Sequence, residues 1–167
     1  MLSRYWLIAL GGVMALIAVP LLLNSEEEKI LDQLERIRGL AEITSPEDGI
    51  QQLTRTRKIA RQFANHTVFD LVNAGYGITE ISSRQELEQK IISARNRITA
   101  LELSLAEPRV AIEGDTATVR FRGTALGSIR GEQNQFLDIH TVEVLLSKTD
   151  GTWLVSGARH LRDERQP

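Results

Sequence analysis

The amino-acid sequence predicts an α+β fold in which an antiparallel sheet is laid over helices that precede it. Three observations carry this reading. Before Arg97, apolar residues recur at helical spacing; after it, they alternate with polar ones; and the chain closes on Gln135 to Leu161, where β-rich runs flank Asp150-Gly151. That dipeptide suits the positive φ angles of a type I′ hairpin turn. A tight turn there sets Lys148 opposite Trp153, Leu146 opposite Val155, Val144 opposite Gly157 and Val142 opposite Arg159, so the apolar pairs share one side. Thr141, Glu143, Ser156, Ala158 and His160 fall on the other. A sheet with one apolar face needs cover, and the upstream helices are the candidates to supply it.

The 167 residues are about one domain's worth, and 20 basic against 22 acidic side chains leave a net charge of −2. Such a balance offers no electrostatic footprint for nucleic acid. Cysteine is absent. Disulfides, thiolate metal sites, a cysteine nucleophile and a lipid-modified cysteine are thereby excluded, while the redox compartment stays open.

The run Tyr5 to Leu23 is uncharged and preceded by Arg4. At about 1.5 Å per residue it reaches roughly 28 Å as a helix, enough to cross a bilayer. A cleaved signal peptide is the alternative, but no small-x-small site follows the apolar run. The expected organisation is a transmembrane anchor over residues 1–24 and a folded domain over 25–167, with Arg4 inside and Glu26-Glu27-Glu28 outside. Ser25 caps the first helix of the domain, whose stripe is Ile30, Leu34, Ile37 and Ala41.

Ser45 and Pro46 mark a second helix start, and this helix is expected to run to about Asn65 with Ile50, Leu53, Ala60, Phe63 and Ala64 inward. Its Arg55, Arg57, Lys58 and Arg61 read as a solvated basic face near the helix end rather than a polyanion contact. Val68 to Ile81 reads as a short strand with a break at Gly75-Tyr76-Gly77. Ser83 and Glu86 form a capping box that opens a third helix with Leu87, Ile91, Ala94 and Ile98 on one side. Then Leu101, Leu103 and Leu105 alternate with polar neighbours, and after Glu113-Gly114-Asp115 so do Ala117, Val119, Phe121 and Ala125. Leu126 to Asn134 reads as a polar connection.

This order of elements resembles the nuclear transport factor 2-like (SnoaL-like, cystatin-like) superfamily. The segments that carry the resemblance are Val110-Ala-Ile-Glu-Gly-Asp115-Thr-Ala-Thr-Val119, Lys148-Thr-Asp-Gly-Thr-Trp153-Leu-Val and the Ser83-Arg-Gln-Glu-Leu87 helix start. The resemblance implies a cone: a curved antiparallel sheet wraps three helices and leaves a pocket at its open end. Members include ketosteroid isomerases, polyketide cyclases, dehydratases, transport adaptors and periplasmic domains of secretion scaffolds, so the fold does not choose a function. The anchored layout is similar to that of small bacterial envelope proteins, which implies a single-pass protein of the bacterial inner membrane with a periplasmic C-terminal domain.

Two functions follow as expectations. The first is a tethered, non-enzymatic interaction module; the row Thr116, Thr118, Arg120, Arg122 and Thr124 offers few large hydrophobes, which supports no more than weak homodimerisation or a transient envelope partner. The second is a small-molecule binder or a lyase- or isomerase-like enzyme. Extending the hairpin register places Asp138 and His140 on the inner face beyond Val142, with Arg159 beside them, where they could polarise a carbonyl or move a proton. The pocket candidates are Tyr76, Phe121, Phe136, Asp138, His140, Trp153 and Arg159. A cone filled by Trp153, Phe121 and Phe136 favours the first function; an open apolar pocket with convergent polar groups favours the second. His66, His140 and His160 lack metal-ligand spacing, and there is neither a phosphate loop nor a G-x-S-x-G elbow, so no metal or cofactor is expected.

Overall fold

The computed structural model describes residues 25–74 and 77–162. The chain divides into two compact units, Met1–Asp32 and Gln33–Pro167. Of the first, only residues 25–32 are described; they are helical and carry an ion pair between Lys29 and Glu26 at 2.7 Å. The expected anchor, Tyr5 to Leu23, lies outside the described residues, and among those described no helix is long and apolar enough to cross a membrane.

Helix α1 covers residues 25–41. Helix α2, Gly49–Ala60, starts later than Ser45-Pro46 suggested. Asp48 is the cap: its carboxylate accepts from the Gln51 amide at 2.8 Å and the Gln51 side chain accepts from the Asp48 amide at 3.4 Å. This reciprocal pair satisfies two otherwise orphaned donors at the start of the helix. The helix also ends sooner than Asn65, because Phe63 onward is drawn into a strand. Its buried side chains are Thr56, Ile59 and Ala60, whereas Ile50, expected inward, is 81% exposed.

Strand β1 is Phe63–Leu71, followed by a 3₁₀ turn at Val72–Ala74 and by β2, Gly77–Ile81. Helix α3, Arg84–Arg97, begins at the expected cap, with Ser83 Oγ accepting from the Glu86 amide at 3.2 Å. Strands β3 (Ile98–Glu113), β4 (Thr116–Ile129), β5 (Gln135–Thr149) and β6 (Thr152–Leu161) complete the domain. The segment read as a connection from Leu126 is largely strand: Leu126 pairs with Leu137 and Ser128 with Gln135, so the turn shrinks to residues 130–134.

The six strands are ordered β2-β1-β6-β5-β4-β3. All neighbours are antiparallel except β1 and β6, which run parallel, so the sheet is mixed rather than purely antiparallel. The Val155 amide donates to Gln62 O at 2.9 Å where this pairing begins. At the β3 edge, Ile43 and Leu101 exchange backbone hydrogen bonds of 2.9 and 3.0 Å, and the Leu103 amide donates to Glu42 Oε1 at 3.0 Å. The residues that follow α1 thus cover part of an edge that would otherwise present unpaired donors.

The closing hairpin turns at Asp150 (φ 50°) and Gly151 (φ 78°), the positive pair a type I′ turn requires. Lys148 faces Trp153 and Leu146 faces Val155, but beyond them the register shifts, and Leu145 pairs with Gly157. Ser156 is the extra residue of a β-bulge. One inserted residue exchanges the faces of everything after it. Val144 therefore opposes Ala158, Glu143 opposes Arg159 and Val142 opposes His160. Ala158 and His160, expected outside, share the inner side with Val142 and Val144, and Arg159 moves to the outer side.

The inner face buries Ala117, Val119, Val144, Leu146, Trp153 and Val155. A second cluster, Ala60, Ile81 and Leu87 with Phe63, Phe69 and Ile91 against it, joins α2 and α3 to β1 and β2.

Candidate ligand pocket

Toward the other end of the inner face the walls do not meet. A cavity of about 320 Å³ opens between the α1 residues Leu34, Ile37, Arg38 and Ala41 and the inward row of the sheet. That volume lies at the lower end of the range of small-molecule sites. The cavity exists because the inward side chains lose bulk along the strands: β4 continues from Phe121 through Gly123 to Ala125, and β6 presents Ala158 on its inward row. Leu103, Leu105, Phe63, Phe69, Val142 and Val144 make the rest of the wall largely apolar.

Asp138 and His140 line this cavity, as alternate residues of β5 opposite Ala125 and Gly123. Small partners across the strand leave the space over the two polar groups open. No hydrogen bond or ion pair holds the Asp138 carboxylate or the His140 side chain among the described residues, and the His140 imidazole stands edge to face with the ring of His160 at 4.6 Å between centroids. His160 Nδ1 is buried without a hydrogen-bond partner. Asp138 is exposed and His140 half-buried, so both reach the cavity from its solvent side and are available to a guest.

Arg38 contributes a positive charge that is already engaged. Its guanidinium holds Glu35, Glu42 at 2.6 Å and Leu103 O at 3.1 Å, tying α1 to β3 at the cavity wall. The hydrogen bond from Arg38 holds the Glu35 carboxyl below the usual carboxylate range, and the same bond raises the Arg38 pKa further.

The other sequence candidates distribute differently. Phe121 lines the cavity. Trp153 is 4% exposed, but it is buried near the hairpin turn, with Lys148 Nζ 5.4 Å from its ring centroid, and is not part of the cavity wall. Phe136 lies over Gly127, where an added Cβ would stand 2.5 Å from its ring, and likewise stays out of the wall. Arg159 is on the outer face, paired with the 4% exposed Glu143, which Arg120 approaches from the other side at 3.2 Å. Tyr76 lies outside the described residues. His160 was missed as a neighbour of His140 because the hairpin register, read without the bulge, turned it outward. Among the described residues no group of three or more His, Asp or Glu side chains is placed to hold a metal ion.

A family model described as a SnoaL-like domain matches residues 51–159, from α2 through β6. The chain belongs to that family. Solved structures share the SnoaL-like fold: a nuclear transport factor 2-like protein with a cystatin-like fold from Novosphingobium aromaticivorans has a TM-score of 0.66 at 16% identity, with 90% of each chain covered. A putative scytalone dehydratase from the same organism has a TM-score of 0.65 at 11% identity, covering 81% of this chain and 83% of its own. The type 3 hexachlorocyclohexane dehydrochlorinase of Novosphingobium barchaimii has a TM-score of 0.59 at 14% identity, covering 82% and 86%. At such identities the likeness is one of fold. No curated protein matches the sequence.

Proposed function

We propose that this SnoaL-like domain binds a small, mostly apolar molecule in the cavity, with Asp138 and His140 gripping a polar group at one end. The observation that carries this reading is the open cavity with two unengaged polar side chains in its wall. Apolar contact supplies affinity, while the carboxylate accepts from a hydroxyl or N–H and the imidazole donates or accepts. An interior plugged by Trp153, Phe121 and Phe136 would have favoured a purely interacting module; of the three only Phe121 reaches the cavity, as part of its wall.

The same geometry supports proton transfer as a second reading. His140 is a titratable group facing the place where a guest's polar end would sit, and similar structures include a putative dehydratase and a dehydrochlorinase. His140 would take or return a proton, Asp138 would orient the guest, and the apolar walls would limit water.

The domain acts beside a membrane in this proposal, tethered by Tyr5 to Leu23 with the C-terminal domain periplasmic. The motivation is the length of the uncharged run and its flanking charges. A periplasmic reporter fused after Pro167 should be active, and activity confined to a cytoplasmic reporter would remove the periplasmic assignment.

Ligand-observed NMR of a library of small hydroxylated aromatic and alicyclic compounds tests the binding reading, using the full chain in lipid nanodiscs. Saturable binders should compete with one another, and Asp138→Asn or His140→Ala should weaken them by about tenfold. Binders indifferent to both changes would refute the assigned grip. Turnover of any binder, abolished by His140→Ala, would establish the enzymatic reading.

A further inference from the structure

A second, polar pocket of about 200 Å³ lies away from the first, between the segment preceding α2, the end of α3 and the turn after β4. Its wall includes Glu47, Gln52, Arg95, Asn96, Thr99 and Arg130. We propose that it binds a small free oxyanion, either inorganic phosphate or the carboxylate of a small acid.

Arg95 sits at the base of the argument. It is 7% exposed, and its Nε is buried with no hydrogen-bond partner. One terminal nitrogen donates to Leu40 O and Ala41 O at 3.3 and 3.0 Å, and the other to Glu47 Oε2 at 2.7 Å. Those bonds explain why the side chain is ordered, since they satisfy carbonyls at the end of α1. They do not explain the positive excess around it. Glu47, the carboxylate in the wall, is engaged on both oxygens, because Arg55 Nε meets its Oε1 at 3.0 Å. Arg130 then adds a third cation. Its Nε donates to Asn96 O at 3.1 Å, and its terminal nitrogens have no protein partner among the described residues.

Two guanidinium groups, those of Arg95 and Arg130, thus line a cavity whose wall holds one carboxylate, Glu47, already shared between Arg95 and Arg55. An excess of positive charge, part of it buried at Arg95, favours an anion over water, and a guanidinium fork such as that of the exposed Arg130 matches the geometry of carboxylate and phosphate oxygens. Asn96 supplies a neutral donor at the rim, its Oδ1 being occupied by Gln52 Nε2 at 3.0 Å. In the bound state the oxyanion accepts from Arg130 and the Asn96 amide, while Arg95 adds a fixed positive charge to the wall.

The test is isothermal titration calorimetry of the full chain in nanodiscs with sodium phosphate and with sodium acetate, against chloride at equal ionic strength. Saturable binding of either anion at one site per chain is expected. Arg130→Gln and, separately, Asn96→Ala should weaken it by about tenfold or more, whereas Arg61→Gln, which removes a cation outside the pocket, should not. Circular dichroism confirms that each variant is folded, and the exposed positions of Arg130 and Asn96 make them safer probes than Arg95. Absence of saturable binding by both anions, or affinities unchanged in Arg130→Gln and Asn96→Ala, would overturn the proposal.

Discussion

Arg159 stands across the β5–β6 ladder from Glu143, and the two side chains form an ion pair on the outer sheet face. The pair exists only because of the bulge at Ser156: in an unbroken ladder Arg159 would oppose Val142 and point into the cavity. The bulge thereby keeps a cation out of an apolar pocket and brings His160 against His140 instead.

Glu143 is 4% exposed and accepts from both Arg120 and Arg159, which are themselves half exposed. Glu143→Gln should therefore lower stability by about 1–2 kcal/mol, less than a fully buried pair would lose because water can rehydrate the arginines. Urea titration measures it. A change indistinguishable from zero would show that the ion cluster contributes nothing net.

Trp153→Ala should cost about 3–5 kcal/mol, as the loss of an aromatic side chain from a core does. Thr118→Ala, on the outer side of β4 opposite Leu145, should cost well under about 1 kcal/mol. Similar losses at the two positions would contradict the assignment of inner and outer faces.

Gly127 cannot accept a side chain cheaply. A Cβ there would stand 2.5 Å from Phe136 Cζ and 2.6 Å from the Ala100 carbonyl oxygen, and the second neighbour is backbone that cannot rotate away. Gly127→Ala should destabilise by about 1–3 kcal/mol. A neutral effect would mean that the β3–β4 spacing differs from the one described.

Glu35 bears on acid stability. Its carboxyl is held below the usual value of about 4.3 by its hydrogen bond to Arg38, so the folded state binds that proton less readily than the unfolded one. The resulting stabilisation is present above the unfolded pKa and disappears as pH falls through the lowered folded value. Wild type should lose more stability than Glu35→Gln between about pH 5 and pH 3, by a small amount since Glu35 is largely exposed. Parallel stability curves would exclude the pair as a contributor.

Local signals in the sequence were legible where the structure satisfies them locally. Ser83 and Glu86 open α3, and Asp150-Gly151 closes the hairpin, because a cap and a two-residue turn depend on neighbours a few positions away. The inward row Ala117, Val119, Phe121 and Ala125 was readable from its period. The bulge was not: around Ser156 the chain runs Val-Ser-Gly-Ala, residues too small to mark one face as apolar, so nothing in the pattern fixes the register. That slip misplaced Ala158, Arg159 and His160 together. The parallel pairing of β1 with β6 was equally invisible, since it joins segments far apart in sequence, and it pulled Phe63 out of the expected helix. Ser45-Pro46 and Asp48 are competing helix starts, and only the Asp48–Gln51 exchange separates them. Arg95 is absent from the expected apolar side of α3, yet it is buried, because it donates to the α1 carbonyls and pairs with Glu47.

The central claim is that the cavity beside Asp138 and His140 is a binding site, and the most direct measurement is to fill it. Ala125 lines the cavity from β4 opposite Asp138, so Ala125→Trp places a bulky ring in the void. Compounds found to bind the wild-type chain in nanodiscs should lose saturable binding to Ala125→Trp while its circular dichroism stays native. Binding retained at wild-type affinity in the folded Ala125→Trp protein would contradict the account, because the guest would then lie elsewhere.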